Sequence, residues 1–590
     1  MKYPALTSLS TSREMVDIFA GYNHNLRIGD GEFYDMKNLT SDTYPVLSPR
    51  NKRGTHLLTE KPRGMIAKDA LCYINGIHFY INNYQVQGTL NNEVPKTLVS
   101  MGSYVIIMPD KKYVNTSSSS TEDEIKALEL KNIEASVTTV EGTTTTFSHC
   151  KLDGTEYEDV TVSDTTPDEP QDEQYWIDTS ETPHVLKQYS STNAMWVAVA
   201  TTYIKISSPG IGQPFEEGDG VTISGINIEE LADLNSTMIL WGRGDNYIIV
   251  TGVLAQVKTQ TTPISVKRQM PNMDFIIESE NRLWGCRYGV AVNGEVVNEI
   301  YASKLGDFKN WNSFAGISTD SYAATVGTDG QFTGAITHLG YPIFFKENCM
   351  HKVYGNYPSN YQIQTTACRG VQKGCSKSLA IVNETLFYKS RSAICAYDGS
   401  LPTEVSSALG EVSYSDAVAG TIGNKYYVSM LDNDEGVYNL FVFDTKKGLW
   451  HKEDNTRVVD FCNCRGNLYY IDYADNKIKT VRGGGDEIDS APVEWMAETG
   501  IIGTDSPDKK YISRIDVRMS LTFGAKVYFY VEYDSEEGWE HLYTMAGTTL
   551  KSFAVPIRPK RCDHLRLRIV GEGDAKIYSI CKTVEQGSDM

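Results

Sequence analysis

A chain of 590 residues is too long for a single hydrophobic core, so several domains are expected. Hydrophobic residues make up 41% of the chain and charged residues 22%, and this balance excludes a wholly disordered protein. The formal net charge of −20 disfavours a protein that holds nucleic acid through phosphate contacts, although a need for solubility explains the same charge.

Residues 1–60 are predicted to form an extended N-terminal arm. The segments from Phe33 to Leu39 and from Tyr44 to Arg50 combine short apolar anchors with prolines. Proline fixes φ and removes a backbone donor, so such a segment is expected to lie over another surface. The opening residues lack the apolar stretch of a secretory signal, and no run of about 18 apolar residues predicts a membrane span.

Short strands separated by turns begin at residue 61. Residues 70–74 and 77–81 are apolar runs joined by Asn75-Gly76, a strong signal for a two-residue β-hairpin. A similar unit follows at residues 98–115. We therefore assign residues 61–116 to the first blades of a β-propeller.

The composition changes at a run of four serines that begins at residue 117. Residues 117–267 are rich in threonine and acidic residues, and they are predicted to form an inserted β-rich domain, or two small ones. The aromatic residues of this insert are Tyr175, Trp176, Tyr189 and Trp196. They are favoured as the core of a small β module, and the open alternative is a glycan contact through Trp176 and Trp196.

Residues 268–485 are predicted to form the remaining blades. Phrases in which a turn precedes an apolar strand begin at Gly340, Asn383, Gly423 and Gly466, at intervals of 43, 40 and 43 residues. A repeat of this length with four short strands is typical of a β-propeller. The predicted fold class is therefore all-β, with a propeller of six or seven blades, an inserted β domain and a C-terminal β-sandwich.

Residues 486–590 are predicted to form that sandwich. Apolar and polar residues alternate at 512–519, 526–531 and 565–570, which indicates strands with one packed face and one solvated face. Gly483-Gly484-Gly485 precedes this module. Because the acidic pair Asp486-Glu487 follows the glycines, a flexible linker is favoured over a phosphate-binding loop.

The sequence contains no recognisable catalytic or metal-binding motif. It lacks HExxH, GxSxG and GxxxxGK[ST], the local signatures of zinc proteases, serine hydrolases and P-loop proteins. The eleven cysteines include no CxxC pair, although Cys462 and Cys464 are two residues apart. Asp444 and Gly448 are four residues apart ahead of Trp450, which favours a blade-closing turn over the Asp box of a sialidase. We therefore predict no enzyme activity, no cofactor and no metal site, and reduced thiols favour folding in cytoplasm.

Three phrases of the propeller region share a pattern with a known family. They are ENRLWG, EIYASKLGDFKNWNSF and LFYKSRSAICAYDGSLPTEVSS. The residues that carry the pattern are Asn281, Arg282, Leu283, Trp284, Tyr301, Ser303, Gly306, Asp307, Phe308, Asn310, Trp311, Tyr397, Gly399 and Pro402. These phrases resemble the propeller of phage tail proteins of the nozzle or tail-hub type, and the arm phrase YDMKNLTSDTYPVLSPR resembles their N-terminal segment. The threonine-rich insert and the large C-terminal sandwich depart from the short-tailed nozzle pattern.

The resemblance implies a structural virion protein that forms a ring, commonly of six copies, below the portal or adaptor. It implies that this ring continues the DNA channel, retains the genome until DNA ejection, and docks fibres or other tail proteins. DNA is then expected to pass through the lumen without specific binding, and the protein is expected in the virion tail after assembly in the bacterial host cytoplasm. A receptor- or glycan-binding tail protein is the alternative function, suggested by the aromatic insert. A propeller glycoside hydrolase is a third hypothesis, disfavoured by the absence of a secretory signal and of Asp boxes.

Overall fold

Small antiparallel sheets with a meander topology make up most of the chain. The computed structural model describes residues 11–91, 94–290, 294–483, 487–488, 491–503, 509–536 and 538–586. Blade 1 comprises Pro62–Lys68, Ala70–Asn75, His78–Ile81 and Tyr84–Gln85. Blade 2 comprises Thr97–Met101, Tyr104–Met108, Lys112–Asn115 and Lys131–Asn132. Blade 3 comprises Phe275–Ser279, Arg282–Val290, Val296–Ala302 and Tyr322–Thr325. Blades 4 and 5 comprise Gly334–His338, Tyr341–Lys346, Cys349–Tyr354 and Gln362–Ala367; and Ala380–Val382, Thr385–Lys389, Ile394–Tyr397 and Thr403–Glu404. Blades 6 and 7 comprise Tyr414–Ile422, Lys425–Asp432, Tyr438–Asp444 and Leu449–Lys452; and Val458–Cys464, Asn467–Asp472, Ile478–Thr480, Gly54–Leu57 and Glu487–Ile488.

These blades close into a seven-bladed β-propeller, as the repeat predicts. The first strands of neighbouring blades contact each other, except that Gly334–His338 of blade 4 contacts the 3-10 turn Ser376–Ser378 ahead of blade 5. The ring closes where Val458–Cys464 of blade 7 contacts Pro62–Lys68 of blade 1. Gly54–Leu57 pairs with Ile478–Thr480, so a strand from the N-terminal side completes blade 7. That strand lies within residues 1–60, which were predicted to form the arm. Its four residues are too few to show the alternation that identifies a strand.

The repeat in the sequence corresponds to a hairpin turn between the first and second strands of a blade. Gly340, Asn383, Gly423 and Gly466 lie in these turns with φ of +79°, +46°, +57° and +78°. Glycine reaches such angles without a steric cost, and asparagine tolerates them better than most residues do. In blade 3 the same turn uses Asn281, with φ of +58°.

The inserted β domain lies between blades 2 and 3. Blade 2 ends only at Lys131–Asn132, so residues 117–132, which were assigned to the insert, belong to the propeller. They include the helix Glu122–Ala127, whose capping box joins Thr121 to Glu124. The first sheet of the insert comprises Ala135–Thr138, Ser265–Arg268, Gly220–Ser224 and Thr237–Ile239. The second comprises Gly242–Gly244, Tyr247–Thr251, Tyr203–Ser207, Thr145–Cys150 and Lys258–Gln260. The third comprises Thr161–Ser163, Tyr175–Asp178, Val185–Ser190 and Met195–Ala198.

The C-terminal β-sandwich is one eight-stranded sheet with two leaves. Lys510–Tyr533 is a single strand through both predicted segments, and its two halves pair with Ala575–Gln586 and with Leu565–Glu572. The strict alternation of buried and half-buried residues along Leu565–Glu572 matches the prediction for a sheet with one packed face. The other members of the sheet are Thr11–Val16, Gly21–Tyr22, Glu32–Lys37, Glu494–Thr499 and Glu540–Val555.

The predicted arm was expected to lie over another surface, and its residues 11–37 instead supply three strands to the C-terminal sheet. Thr11–Val16 pairs with Ala575–Gln586, and Glu32–Lys37 pairs with Glu494–Thr499. One continuous hydrophobic core then joins the sandwich to blades 4, 5 and 6. The remaining short elements are the strand pair Leu39–Thr40 and Ser48–Pro49 and the 3-10 turns Glu229–Leu234, Pro358–Asn360, Ser376–Ser378 and Ser407–Leu409. Of the predicted Gly483–Gly485 linker, residues 484 and 485 lie outside the described residues.

Candidate functional site: the motif segment between propeller and insert

The first part of the motif is a buried arginine in blade 3. Arg282 is 1% exposed, and its guanidinium donates to the carbonyl oxygens of Ser303 at 2.7 Å and Ser318 at 2.8 Å. It also donates to the carbonyl of Asp320. A planar guanidinium with several donors can satisfy three carbonyl groups at once. Arg282 therefore ties the second strand of the blade to the segment that leads into its fourth strand.

The two apolar residues that follow are packing residues. Leu283 is fully buried, and Trp284 is buried between blades 3 and 4. The Trp284 ring lies 5.0 Å from the ring of Tyr361 and 6.1 Å from that of Tyr322, measured between centroids. The Tyr361 contact is edge-to-face and the Tyr322 contact is tilted, and aromatic contacts of this kind add to the stabilisation from burial.

Residues 303–311 form a turn that we call the motif turn. Ser303 Oγ accepts the N–H of Leu283 at 3.0 Å, and the Gly306 N–H donates to the carbonyl of Asn281 at 2.8 Å. Gly306 has a φ of +75°, which a side chain would strain. Asp307 then accepts the N–H of Lys309 at 3.0 Å, so the carboxylate holds the reversal of the chain.

The aromatic residues of the motif turn bind it to blade 2. Phe308 is buried, and its ring centroid lies 5.0 Å from those of Tyr104 and Tyr113. Trp311 is also buried, and its Nε1 donates to the Phe308 carbonyl at 2.8 Å. Half-buried Tyr301 packs on the same cluster. Blades 2 and 3 are thus held together across the position where the insert leaves the propeller.

Asn310 joins the motif turn to the insert itself. Its side chain is fully buried, and Oδ1 accepts the N–H of Gly220 at 2.8 Å. Its Nδ2 donates to Asp219 Oδ1 at 3.1 Å and also to Asp307. Buried Asp219 forms an ion pair with Arg268, the last residue of the last insert strand. One asparagine therefore fixes the base of the insert to blade 3.

Replacing Asn310 with alanine is expected to loosen this base. The Gly220 N–H and one Asp219 oxygen lose their partner in a buried site, and a buried group left unpaired costs about 1–3 kcal/mol. We expect a lower apparent midpoint in urea unfolding and faster protease cleavage next to the insert. Asn463→Ala is the matched control, since Asn463 is exposed and the same change removes one hydrogen bond, to the Thr421 carbonyl, that water can replace. Equal behaviour of the two variants would contradict the role of Asn310.

The later part of the motif forms a turn in blade 5. Tyr397 is buried at the end of the third strand, and its hydroxyl donates to the Gly399 carbonyl at 3.2 Å. Gly399 has a φ of +116°, which favours glycine. Half-buried Pro402 directly precedes the fourth strand, Thr403–Glu404. These residues shape the connection between two strands.

The aromatic residues of the insert lie in its third sheet. Trp176 is 4% exposed, and its Nε1 donates to the Ser163 carbonyl at 3.1 Å. The Trp196 ring packs against it at 5.4 Å between centroids and against Tyr189 at the same distance. Lys187 Nζ lies 5.0 Å from the Trp176 ring centroid. Trp176 is therefore covered by its own module, whereas Tyr175, Tyr189 and Trp196 are half-buried.

Burial also keeps three histidines neutral. It lowers the pKa of His149 and of His351 to about 4 and that of His451 to about 3, below the value near 6.5 of an exposed histidine. Below pH 6.5 the unfolded chain takes up protons that the folded chain does not. The three buried histidines therefore cost no folding stability above pH 6.5. They lower the free energy of unfolding progressively as the pH is lowered towards 4.

His149 gives the clearest test of this pH dependence. Neither ring nitrogen of His149 has a hydrogen-bond partner among the described residues, and the ring lies 4.8 Å from that of Tyr157. We expect His149→Phe to keep the ring contact and to raise stability relative to the parent by on the order of 1 kcal/mol at pH 5. Thermal unfolding at pH 7 and pH 5 measures the effect. If the parent and His149→Phe lose the same stability between pH 7 and pH 5, His149 does not contribute to the pH dependence.

Other candidate chemistry is sparse in the part of the chain that the structure describes. All eleven cysteines are free thiols, ten of them buried. Within the described ranges, no group of three or more His, Cys, Asp or Glu side chains is placed to hold a metal ion. No helix among these residues is both long and apolar enough to span a bilayer. Asp444, weighed as part of an Asp box, accepts the N–H groups of Lys446 and Lys447 in a turn of blade 6.

The sequence did not reveal the partners that fix these motif residues. Asp219 and Arg268 lie in the insert, about 90 and 40 residues from Asn310, and no local pattern marks them. The signal that was available is compositional: the polar run Glu216-Glu217-Gly218-Asp219 stands directly ahead of the apolar strand Gly220–Ser224.

Comparison with known proteins adds little to this geometry. The chain matches no protein-family model and no curated protein sequence. Among solved structures it is similar to an exo-β-1,3-galactanase from Phanerochaete chrysosporium, with 9% identity, 52% of this chain and 94% of that chain covered, and a TM-score of 0.22. A sialidase from Trypanosoma rangeli covers 92% of this chain and 96% of its own, with 9% identity and a TM-score of 0.18. At these scores neither likeness supports a shared activity.

Proposed function

We propose that this chain is a structural protein of a phage tail, in which several copies form a nozzle or hub ring around the DNA channel below the portal or adaptor. The observation that carries the proposal is the use made of the motif residues. Trp284, Phe308 and Asn310 are buried in contacts that join two blades or join the propeller to the insert, and buried Arg282 ties together the segments of blade 3. The residues that resemble the tail family thus serve architecture, as an assembly protein requires.

A second support is the way in which the N-terminal segment is fastened to the propeller. Arg53 is buried against Glu453 at 2.7 Å and Asp454 at 2.9 Å, both of them just after the last strand of blade 6. Ser41 donates to Asp444 at 2.6 Å on the same blade. A ring that retains a packaged genome has to resist force. The contacts of Arg53 and Ser41 fasten the N-terminal segment to blade 6, and this favours a rigid subunit.

The charge of the chain fits a channel that DNA passes through. A net charge of −20 per copy opposes phosphate contacts, so DNA in the lumen would not be held by counterion release. We infer that the ring retains the genome by steric closure and that it presents its outer surface to fibres or other tail proteins. The proposal places the protein in the virion tail after assembly in the host cytoplasm, with no catalytic step.

The proposal is tested on purified virions from the source culture. Quantitative mass spectrometry of gradient-purified particles measures the copies of this chain relative to the portal protein. We expect a fixed ratio, with about six copies per particle if the ring matches the resembled family, and retention of the chain through a high-salt wash. Loss of the chain from particles that keep their tails would overturn the proposal.

A further inference from the structure

The second sheet of the insert has an open groove along its edge strand, Gly242–Gly244. We call it the Trp241 groove, after the residue that directly precedes this strand and lines the groove. Its volume is 560 Å³. Sites for small ligands commonly have volumes of about 300–1,000 Å³, so the groove is large enough to hold one.

An exposed indole forms part of the groove wall. Trp241 is the most exposed of the eight tryptophans, at 38%. Its backbone N–H donates to the Ile249 carbonyl at 2.9 Å, and its ring centroid lies 6.0 Å from that of Tyr203. The sheet thus fixes the position of Trp241 while part of the indole stays in water. Burying the rest of such a large aromatic surface against a ligand would be favourable.

Two glycines shape the groove beside the indole. A Cβ at Gly242 would lie 3.0 Å from Ile249 Cδ1, and a Cβ at Gly244 would collide with the ring of Tyr247. Lys205 Nζ lies 4.8 Å from the centroid of the Tyr247 ring and holds this second aromatic wall by a cation–π contact. The edge strand therefore lacks side chains where they would fill the groove.

Four charged side chains surround the two aromatic rings. Lys151 and Arg243 are positive, Asp153 and Glu217 are negative, and all four residues are exposed. In the part of the chain that the structure describes, the Glu217 side chain makes no hydrogen bond or ion pair. Lysine and arginine donate hydrogen bonds and carboxylates accept them, so the groove offers both kinds of group without a net charge.

We propose that the Trp241 groove binds a neutral oligosaccharide. A pyranose ring has a flat C–H face that can stack on an indole, and its hydroxyl groups both donate and accept hydrogen bonds. An anionic ligand would be repelled by Asp153 and Glu217, and a cationic ligand by Lys151 and Arg243. A neutral ligand rich in hydroxyl groups can use all four side chains.

The proposed site lies apart from the aromatic cluster that the sequence suggested for a glycan contact. Trp176 is 4% exposed, and Trp196 packs against both Trp176 and Tyr189 in the third sheet. Trp241 contacts Tyr203 of the second sheet instead. The inference goes beyond the proposed ring function and does not depend on it.

The test compares the full-length parent with three variants. Trp241→Ala removes the stacking surface, and Glu217→Gln removes one charge while keeping the size of an exposed side chain. Trp196→Ala is the matched control, because it makes the same truncation in the third sheet. Each protein is applied to an array of short neutral oligosaccharides and their uronic-acid-containing counterparts. Titration calorimetry then measures the affinity for the glycans bound, and circular dichroism confirms that each variant is folded.

We expect the parent to bind neutral glycans in preference to acidic ones. Trp241→Ala should weaken this binding by about tenfold or more, Glu217→Gln should weaken it several-fold, and Trp196→Ala should leave it unchanged. A parent that binds no glycan on the array would overturn the proposal. So would tighter binding of the acidic set, or a loss in Trp196→Ala as large as that in Trp241→Ala. Absence of the chain from virions would refute the tail function and leave this site intact.

Discussion

Replacing Arg53 with alanine is expected to lower the free energy of unfolding by about 3–5 kcal/mol. Arg53 donates to Glu453 at 2.7 Å and to Thr456 Oγ1 at 2.9 Å, and it lies 2.9 Å from Asp454. The variant leaves Glu453 and Asp454 with only the longer ion pairs to Arg50, each at 3.5 Å, in a site from which water is largely excluded. The residue directly precedes Gly54–Leu57, the strand that closes the propeller, so the same change should weaken closure.

Urea unfolding followed by tryptophan fluorescence measures the Arg53 effect. Arg13→Ala is the matched control, because Arg13 forms an exposed ion pair with Asp516 at 3.4 Å and such pairs contribute at most about 1 kcal/mol. A loss for Arg53→Ala no larger than that of Arg13→Ala would mean that the buried cluster does not fasten the N-terminal segment to blade 6.

Replacing Trp284 with alanine is expected to cost a similar amount, about 3–5 kcal/mol, for a different reason. The indole is 3% exposed and fills the space between blades 3 and 4 against Tyr361 and Tyr322. Its removal leaves a cavity that rigid neighbouring strands cannot fill. Since the blade contacts close a ring, the defect should lower the stability of the whole propeller.

The control for Trp284 is Trp241→Ala in the insert. Trp241 is 38% exposed, so truncation removes less buried surface than it does at Trp284, and a smaller loss of stability is expected. Thermal unfolding of both variants is compared at the same pH. If Trp284→Ala unfolds with the parent while binding of tail components changes, Trp284 is a contact residue rather than a packing residue.

The repeating part of the fold could be predicted from sequence because it depends on local chemistry. A turn that needs a positive φ favours Gly or Asn. Such residues occur next to apolar strands at Gly340, Asn383, Gly423 and Gly466. Gly54–Leu57 could not be recognised, since its role depends on Ile478–Thr480, more than 400 residues away. Lys510–Tyr533 likewise could not be recognised as one strand, because its two halves pair with different strands in the two leaves of the sheet.

The candidate site shows the same division. The glycine and aromatic residues of the motif turn marked it as structural from the sequence alone. The role of Asn310 could not be predicted, because an asparagine near a turn is usually explained by that turn. Its burial against Gly220 and Asp219 follows from where the insert returns to the propeller. A core position for the insert aromatics, Trp176 among them, was favoured from sequence, whereas the contact of Trp176 with Trp196 follows from the sheet pairing.

Electron cryomicroscopy of intact virions tests the central claim most directly. The ring proposal predicts symmetric density below the portal into which copies of the seven-bladed propeller fit around an axial channel. Density that places the chain as separate copies at fibre tips, or virions whose tail contains no such propeller ring, would contradict it.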